Sequence, residues 1–562
     1  MRIPGERTIG SLWRAAVAEG REYPAYLAEQ EGGWEPVSWA EAGTRVEALA
    51  NGLLALGIGK GEPVVLLGRT RLEWAMVDFA LALIGAVSAP IYADATAADT
   101  AHAIDLVQAR TIFADESERA ALDRTGLRFL SLDALEELEE GGRTHAVANP
   151  EALDEAAAVV GEDDLYTFLF TSGTTGPPKA CMITHRNYLA MAGIVETLGD
   201  AIRTGDTLLL YLPLAHNFGR LVVLEGPYRG ITIAFLSDYT RVADALAEVR
   251  PDLFPSVPRL FEKVQARVEA QFDAASGLRR RLVDWALSVG RQASPYKLDG
   301  KRLPRSLALQ HALADRLVYS KVKKRLGGRL RFAFAGGAPL RQEVAEFFHA
   351  LDVLILEGYG LSECTTACAV NRPGEVKFGT VGRPLPGAEI QIAGDGEILV
   401  RSETVFAGYY RDPDATREAL SPDGWLHTGD LGRLDEDGFL VVTGRKKDVL
   451  VTSVGKNVAP QKIEEALTAS PLVSQALVVG NGRPYISALI TLDEETGEAS
   501  LHELHEHVER VNAGLSGYER VKRFTVLPRD FSAEEGEVTP TLKLRRDVCE
   551  RHFAAEIEGM YR

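Results

Sequence analysis

Cysteine is scarce in this 562-residue chain. The four present, Cys181, Cys364, Cys368 and Cys549, are scattered, and no second pair joins Cys364 and Cys368. That excludes a disulfide-stapled fold, argues against a structural metal site, and suits a reduced cytosol. Long apolar runs are missing as well. The longest, Phe79 to Tyr92, follows Asp78 and is too short to cross a bilayer, so it reads as a core helix running into a strand. The opening residues, Met1-Arg-Ile-Pro-Gly-Glu-Arg7, hold no apolar h-region, and the expectation is a cytoplasmic chain without a signal peptide. Positive charge is in deficit: 62 Lys and Arg against 80 Asp and Glu leave a net charge of −18. This argues against nonspecific nucleic-acid binding and against a broadly basic membrane-binding face. Local basic pockets, peripheral contact with the inner membrane face and a homodimer are left open. No GxGxxG follows a strand at the start of a βαβ unit, which disfavours a dinucleotide redox role. Nor is there an HExxH: His502-Glu-Leu-His-Glu-His507 carries Glu at position 506 and reads as an exposed charged helix. Internal repeats and low-complexity tracts are also absent.

What is present is globular: 46% hydrophobic and 25% charged, with room for roughly three or four domain-sized units at about 150 residues each. Pro63-Val-Val-Leu-Leu67, Val87-Ser-Ala-Pro-Ile-Tyr92 and Thr111-Ile-Phe-Ala114 read as strands, separated by helices over Arg71 to Ile84 and near Ala97 to Leu106. This βαβαβ alternation predicts a parallel sheet. Leu208 to Leu212, Ile231 to Phe235 and Leu330 to Phe334 continue it, and a long charged helical insertion lies between Phe261 and Val322. From about Ala388 the texture changes to short strands separated by Asp395-Gly396 and Asp437-Gly438 turns, the mark of a small antiparallel, β-barrel-like unit. After Gly444-Arg-Lys-Lys-Asp448 the pattern is mixed α and β. The fold class expected is α/β: a large N-terminal domain of βαβ-type sheets plus the small β unit over residues 1–446, then a smaller, mobile α+β domain over 447–562.

One stretch raises a chemical question. Tyr166-Thr-Phe-Leu-Phe170 is a short apolar strand, followed by Thr171, Ser172, Gly173, Thr174, Thr175, Gly176, two prolines and Lys179. Glycines let backbone N–H groups turn inward as an anion nest, hydroxyls add donors, and the lysine supplies a point charge. A polyphosphate would suit the loop, though a plain turn before a solvated lysine would have the same composition. It is not the GxxxxGK[ST] pattern, since Lys179 follows the second glycine by three residues.

Further stretches follow in order: Tyr211-Leu-Pro-Leu-Ala-His216, Ala335-Gly-Gly-Ala-Pro-Leu340, Glu357-Gly-Tyr-Gly-Leu-Ser-Glu363, Trp425-Leu-His-Thr-Gly-Asp430, Gly444-Arg-Lys-Lys-Asp448 and Thr539-Pro-Thr-Leu-Lys-Leu-Arg-Arg546. Together with Thr171 to Lys179, the set resembles the adenylate-forming superfamily of acyl-CoA synthetases, peptide adenylation domains and luciferases, across nearly the whole chain. Arg250 to Lys263 and the TPTLKLRR tail look most like long-chain fatty acyl-CoA synthetases.

The resemblance implies a ligase that uses ATP, Mg²⁺ and coenzyme A to turn a fatty acid into its thioester through an acyl-adenylate. It implies that Thr171 to Gly176 and Lys179 hold the β- and γ-phosphates, with Thr174 counted among the catalytic residues. It further implies that Glu363 helps to hold Mg²⁺, that Gly337, Ala338 and Pro339 contact adenine, and that Tyr359 stacks on it within Glu357, Gly358, Tyr359, Gly360, Leu361 and Ser362. Asp430 would accept from both ribose hydroxyls, being acceptor-only, and Arg445 would add a ribose or phosphate contact. Lys543 resembles the family's C-terminal catalytic lysine and Lys447 its hinge. His216 falls near the carboxylate and the mouth of the acyl pocket, where it is either catalytic or a core histidine. Ser453, Val454, Gly455 and Lys456 match the turn that faces coenzyme A, but Val454 stands where glycine is common. That departure keeps two alternatives in view: a ligase that passes its acyl-adenylate to a carrier protein, and a non-catalytic nucleotide- or acyl-binding protein.

Overall fold

The computed structural model describes residues 7–31, 33–119, 122, 126–171, 178–493, 501–539 and 543–562. The alternation read at the start of the chain builds a six-stranded sheet in the order Arg128–Ser131, Thr111–Ala114, Pro63–Leu67, Val87–Ile91, Leu165–Thr171, Lys179–Thr184. All neighbours are parallel except the last pair, in which Thr171 lies opposite Lys179 in an antiparallel register. The strand before the phosphate-type loop therefore has an antiparallel partner after it, which the sequence did not announce. Pro63–Leu67 and Val87–Ile91 are almost wholly buried and β-branched or apolar, as a parallel strand covered on both faces should be.

A second sheet has nine strands. Its parallel centre runs Leu354–Tyr359, Phe332–Ala335, Leu253–Ser256, Thr207–Leu210, Thr232–Phe235, Tyr26–Gln30, and antiparallel strands close both edges. The charged insertion forms the helices Pro258–Asp273, Gly277–Leu298 and Arg305–Ala314, whose apolar side chains Phe261, Val289 and Ala293 pack against this sheet. The small β unit takes the form of a four-stranded antiparallel sheet, Glu389–Ile392, Glu397–Arg401, Leu426–Leu434 and Leu440–Arg445. The last region builds a three-stranded sheet, Val473–Val479, Ile486–Leu492 and Val521–Val526, with its own apolar core.

The helix Asn217–Arg229 joins the two large sheets. It precedes the nine-stranded sheet's strand Thr232–Phe235, but its Arg220, 1% exposed, reaches into the other sheet's layer. The guanidinium donates to Asp78 Oδ1 and Oδ2 at 2.6 and 2.8 Å, to Ser88 Oγ at 3.0 Å and to Thr167 Oγ1 at 2.5 Å. A planar fork suits this bidentate pairing with a carboxylate, and the hydroxyls take up further N–H groups.

The helix Leu501–Ala513 corrects one expectation. His502 and His505 are exposed, but His507 is 8% exposed and its Nε2 lies 2.8 Å from the Leu467 carbonyl. The helix is amphipathic, with Leu504, His507 and Val508 turned inward, so a reading from charge alone missed its buried face. No helix among the described residues is long and apolar enough to cross a membrane.

Candidate active site

A single cavity of about 850 Å³ gathers most of the separated motifs. Thr171 and Lys179 line it from the ends of their paired strands; Ser172, Gly173, Thr174, Thr175, Gly176 and Pro177 lie outside the described residues. Lys179 Nζ is 3.6 Å from Asp412 Oδ2 and 5.1 Å from the centre of the Tyr409 ring. Tyr409 in turn donates its hydroxyl to Glu363 Oε1 at 2.7 Å. Sequence reading singled out neither Tyr409 nor Asp412.

His216 caps the joining helix: its Nδ1 accepts from the Phe218 N–H at 3.1 Å. With Nδ1 serving as acceptor, the network assigns the ring proton to Nε2. Burial, and then the Lys543 ammonium, lower the imidazole's pKa to about 4, so it is neutral at pH 7. His216 is thus a helix cap and a cavity wall at once.

The strand Leu354–Tyr359 ends in the Glu357-to-Glu363 motif. Gly358, Tyr359, Gly360, Leu361, Ser362 and Glu363 all line the cavity. Gly360 has no substitute, because a Cβ there would sit 1.9 Å from the Thr366 carbonyl oxygen. Glu357 does not line the cavity. It is 8% exposed and accepts from the Leu340 N–H at 3.0 Å, with burial pushing its carboxyl up to about 8. Its work is to pin the turn that carries Gly337. That turn holds Gly337 at φ +83 and presents it to the cavity, while Ala338 and Pro339 face outward and do not line it.

Asp430 also sits one layer back. It is 6% exposed and is absent from the cavity wall, which its neighbours Thr428 and Gly429 form. The Tyr359 hydroxyl donates to its Oδ2 at 2.7 Å, and Arg445, its cross-strand partner, brings Nε to 3.2 Å from Oδ1. The carboxylate therefore fixes the orientation of two cavity residues, and each oxygen keeps a lone pair for a further donor. The strand holding Arg445 continues into Lys446, which pairs with Asp395 and Glu397 at 2.5 and 3.1 Å, and Lys447; all three line the cavity.

Lys543 comes from the C-terminal region into this same space. Its backbone is tied to Thr539 by two hydrogen bonds, of 2.8 and 3.1 Å. Arg545 N donates to the carbonyl of Glu537, whose side chain is fully buried and receives Arg529 at 2.6 and 2.8 Å and the Ser532 N–H at 3.0 Å. Those partners, Arg529 foremost, hold the Glu537 carboxyl down to about 2. The Lys543 side chain keeps accessible surface because it faces the open cavity, yet protein surrounds it. Burial, then Arg445, lower its ammonium from the usual lysine value, while Asp430 and Glu363 oppose them. The turn Ser453, Val454, Gly455, Lys456 is not brought to the cavity; Val454 is 69% exposed.

The other end of the cavity is apolar, with Phe218, Leu221, Val222, Leu208, Ile231 and Leu253 in its wall. Glu225, which sequence reading also missed, stands among them, both carboxyl oxygens without a partner. The signal available was a lone acid on the apolar face of a helical stretch. Arg220 and Thr197 carried no comparable signal.

Of the carboxylates in the cavity wall, Glu363 is the one within the motif-lined end that sequence reading assigned to a cation. Among the described residues Glu363 has one oxygen engaged by Tyr409, and no group of three His, Cys, Asp or Glu side chains forms a metal cage. That fits Mg²⁺, which keeps waters and substrate phosphates as most of its ligands.

The chain is similar to known proteins along almost its whole length. Residues 13–410 match the AMP-binding enzyme family, and residues 447–562 match the AMP-binding enzyme C-terminal domain. A long-chain-fatty-acid–CoA ligase, FadD15, of Mycobacterium bovis is 38% identical, covering 100% of this chain and 99% of its own length. Human long-chain-fatty-acid–CoA ligase 1 is 31% identical over 94% of this chain and 82% of its own. Among solved structures, O-succinylbenzoate coenzyme A synthetase from Bacillus subtilis, in complex with ATP and magnesium ion, superposes with a TM-score of 0.71 at 21% identity, covering 95% of this chain and 98% of that one. A Mycobacterium tuberculosis fatty acyl CoA synthetase gives 0.65 at 22% identity, covering 98% and 99%. These two likenesses show a shared fold.

Proposed function

The chain belongs to the AMP-binding enzyme family, and on that premise we propose that it joins a medium- or long-chain fatty acid to coenzyme A, with ATP, through an acyl-adenylate. The observation that carries this reading is the cavity itself, whose motif-lined polar end opens into an apolar arm suited to a hydrocarbon chain. The relatives named as long-chain-fatty-acid–CoA ligases, similar over almost the full chain, support the choice of substrate and acceptor.

The fatty carboxylate attacks the α-phosphorus and pyrophosphate leaves. The thiolate of coenzyme A then attacks the acyl carbon and AMP leaves. In the first step negative charge gathers at phosphorus, so fixed positive groups aimed there are worth most. Lys543 and Arg445 line the polar end for that task, and Lys179, which also lines it, would meet the outer phosphates; the family resemblance gives the segment from Thr171 to Gly176 a share in that task. Mg²⁺ held by Glu363 and phosphate oxygens would supply further charge neutralisation. Tyr359, oriented by Asp430, offers its ring to adenine beside Gly337 and Gly358, and Asp430 retains acceptor capacity for ribose hydroxyls. His216, neutral with its proton on Nε2, can donate to the fatty carboxylate without competing with Lys543 for charge.

The region from 447 onward is read as the mobile domain. Lys447 lies at the cavity wall, so a rotation about it would withdraw Lys543 and bring Ser453 to Lys456 round for the thioester step. AMP release measured over fatty acids of graded length, with and without coenzyme A, tests the function. The expected result is release that depends on both acid and coenzyme A, with acyl-CoA found by mass spectrometry. Acyl-AMP alone at saturating coenzyme A would favour transfer to a carrier protein. ATP binding without turnover would leave only a binding protein.

A further inference from the structure

The apolar arm carries two polar side chains that the protein leaves unsatisfied. Glu225 is 6% exposed, and neither of its oxygens has a hydrogen-bond partner; Thr197 lines the same cavity, and its Oγ1 is buried without a partner too. Glu225 shares one face of the joining helix with Phe218, Leu221 and Val222, at the i, i+3, i+4, i+7 spacing that points all four the same way. The nearby cation is already committed: Arg229 donates to the Gly199 and Ile202 carbonyls at 3.2 and 3.0 Å. Burial, opposed by the Arg229 charge, pushes the Glu225 carboxyl well above the usual range, toward the acid form, which has one donor and acceptor capacity to spare. A buried polar group left without a partner is a standing cost to the fold, which a bound oxygen would relieve.

We propose that Glu225 and Thr197 form a subsite for an uncharged oxygen substituent, a hydroxyl or an oxo group, partway along the acyl chain, so that oxygenated fatty acids are preferred substrates. The proposal rests on the reading of the cavity given above. A hydroxyl can donate to one partner and accept from the other, and an oxo group can accept from both. A cationic substituent would meet a carboxyl that burial biases toward its uncharged form, and an anionic one would find the neighbouring Arg229 already engaged. The position follows from the helix. Nine residues separate His216, at the carboxylate end, from Glu225, a rise of about 13 Å. That is on the order of ten carbons of extended chain.

The test compares kcat/KM for thioester formation by the full-length protein with hexadecanoic acid and with its monohydroxy isomers, substituted near the carboxyl, near mid-chain and at the far end. The mid-chain isomer is expected to be favoured over the unsubstituted acid by about tenfold, mainly through KM. Glu225→Leu should invert that preference, whereas Glu225→Gln, which can still donate and accept, should keep it. Thr197→Val should narrow it and serves as a second probe if Glu225→Leu fails to fold. An identical ratio in wild type and Glu225→Leu would overturn the proposal. So would a wild-type preference for the unsubstituted acid or for an amino-substituted chain. If no acid yields adenylate or thioester, the proposed function itself falls. Calorimetric titration with the hydroxy and unsubstituted acids would then still read the preference.

Discussion

Two lysines of the C-terminal region are treated oppositely by the structure. Lys543 is hydrogen-bonded to Thr539, two residues beyond the buried carboxylate of Glu537, and lines the cavity. The turn from Thr452 to Lys456 is closed on itself by the Gly455 and Lys456 N–H groups, which donate to Thr452, and it leaves Val454 in solvent. One is engaged and the other waits. On the proposed function the difference has a meaning: this arrangement would serve the formation of the adenylate, and a turn of the region would serve the second half-reaction.

The largest expected effect breaks the comparison at its engaged end. Lys543→Ala should lower acyl-AMP formation, read by pyrophosphate exchange, by roughly 100- to 1,000-fold. Conversion of supplied acyl-AMP and coenzyme A to thioester by the same preparation should persist. Adenylation near the wild-type rate would make Lys543 ordinary surface charge. The waiting end comes next. Val454→Trp should slow the thioester step by on the order of a hundredfold through misplacement of the thiol, with acyl-AMP accumulating, while Val454→Gly should quicken it. Because Val454 is exposed here, either variant should melt within about 0.5 kcal/mol of wild type. Equal loss of both half-reactions in the Trp variant would mean that folding, not access, had been damaged.

A third change sharpens the comparison by loosening one turn without touching its lysine. Glu537→Gln should cost roughly 2–3 kcal/mol in denaturant unfolding, below the range for fully enclosed pairs because Arg529 is half in solvent. It should also slow adenylation more than thioester formation. The same carboxylate has a signature in pH. Its folded pKa, about 2, lies below the value near 4.5 of a free glutamate. Its contribution is therefore complete above pH 4.5 and fades as pH falls toward 2; the Gln variant should show a flatter stability curve in that window. The smallest effect belongs to the N-terminal wall. Tyr359→Phe removes the hydroxyl bound to Asp430 and should raise KM for ATP by roughly tenfold, since a hydrogen bond to a charged partner is worth about 1.5 kcal/mol. The thioester step from supplied acyl-AMP should change less.

Sequence reading was strongest where periodicity and order carry the information. Pro63–Leu67, Val87–Ile91 and Thr111–Ala114 were legible because buried parallel strands are short, continuous apolar runs. The strand Lys179–Thr184 was not, because it starts on a lysine and its burial comes from a hairpin mate. The motifs singled out residues but did not tell how deep each lies. Glu357 and Asp430 accept from protein donors behind the cavity wall, a use of an acceptor-only side chain that looks the same in sequence as ligand binding. Val454 was legible as a departure, though the outward placement of its turn was not. Glu225 escaped altogether, since burial of one acid in a helix is decided by what two sheets bring against it.

Arg220 has a consequence for how the molecule can be divided. Its guanidinium satisfies Asp78, Ser88 and Thr167 from a helix that begins at Asn217. A fragment that stops before this helix would contain every strand of the six-stranded sheet and still strand Asp78 in an apolar layer without its cation, a loss typically of about 3–5 kcal/mol. Against a usual total stability of about 5–15 kcal/mol, that is a large share of what would hold the first two hundred residues folded. The two large sheets are tied through this one side chain, and the cavity draws its wall from both.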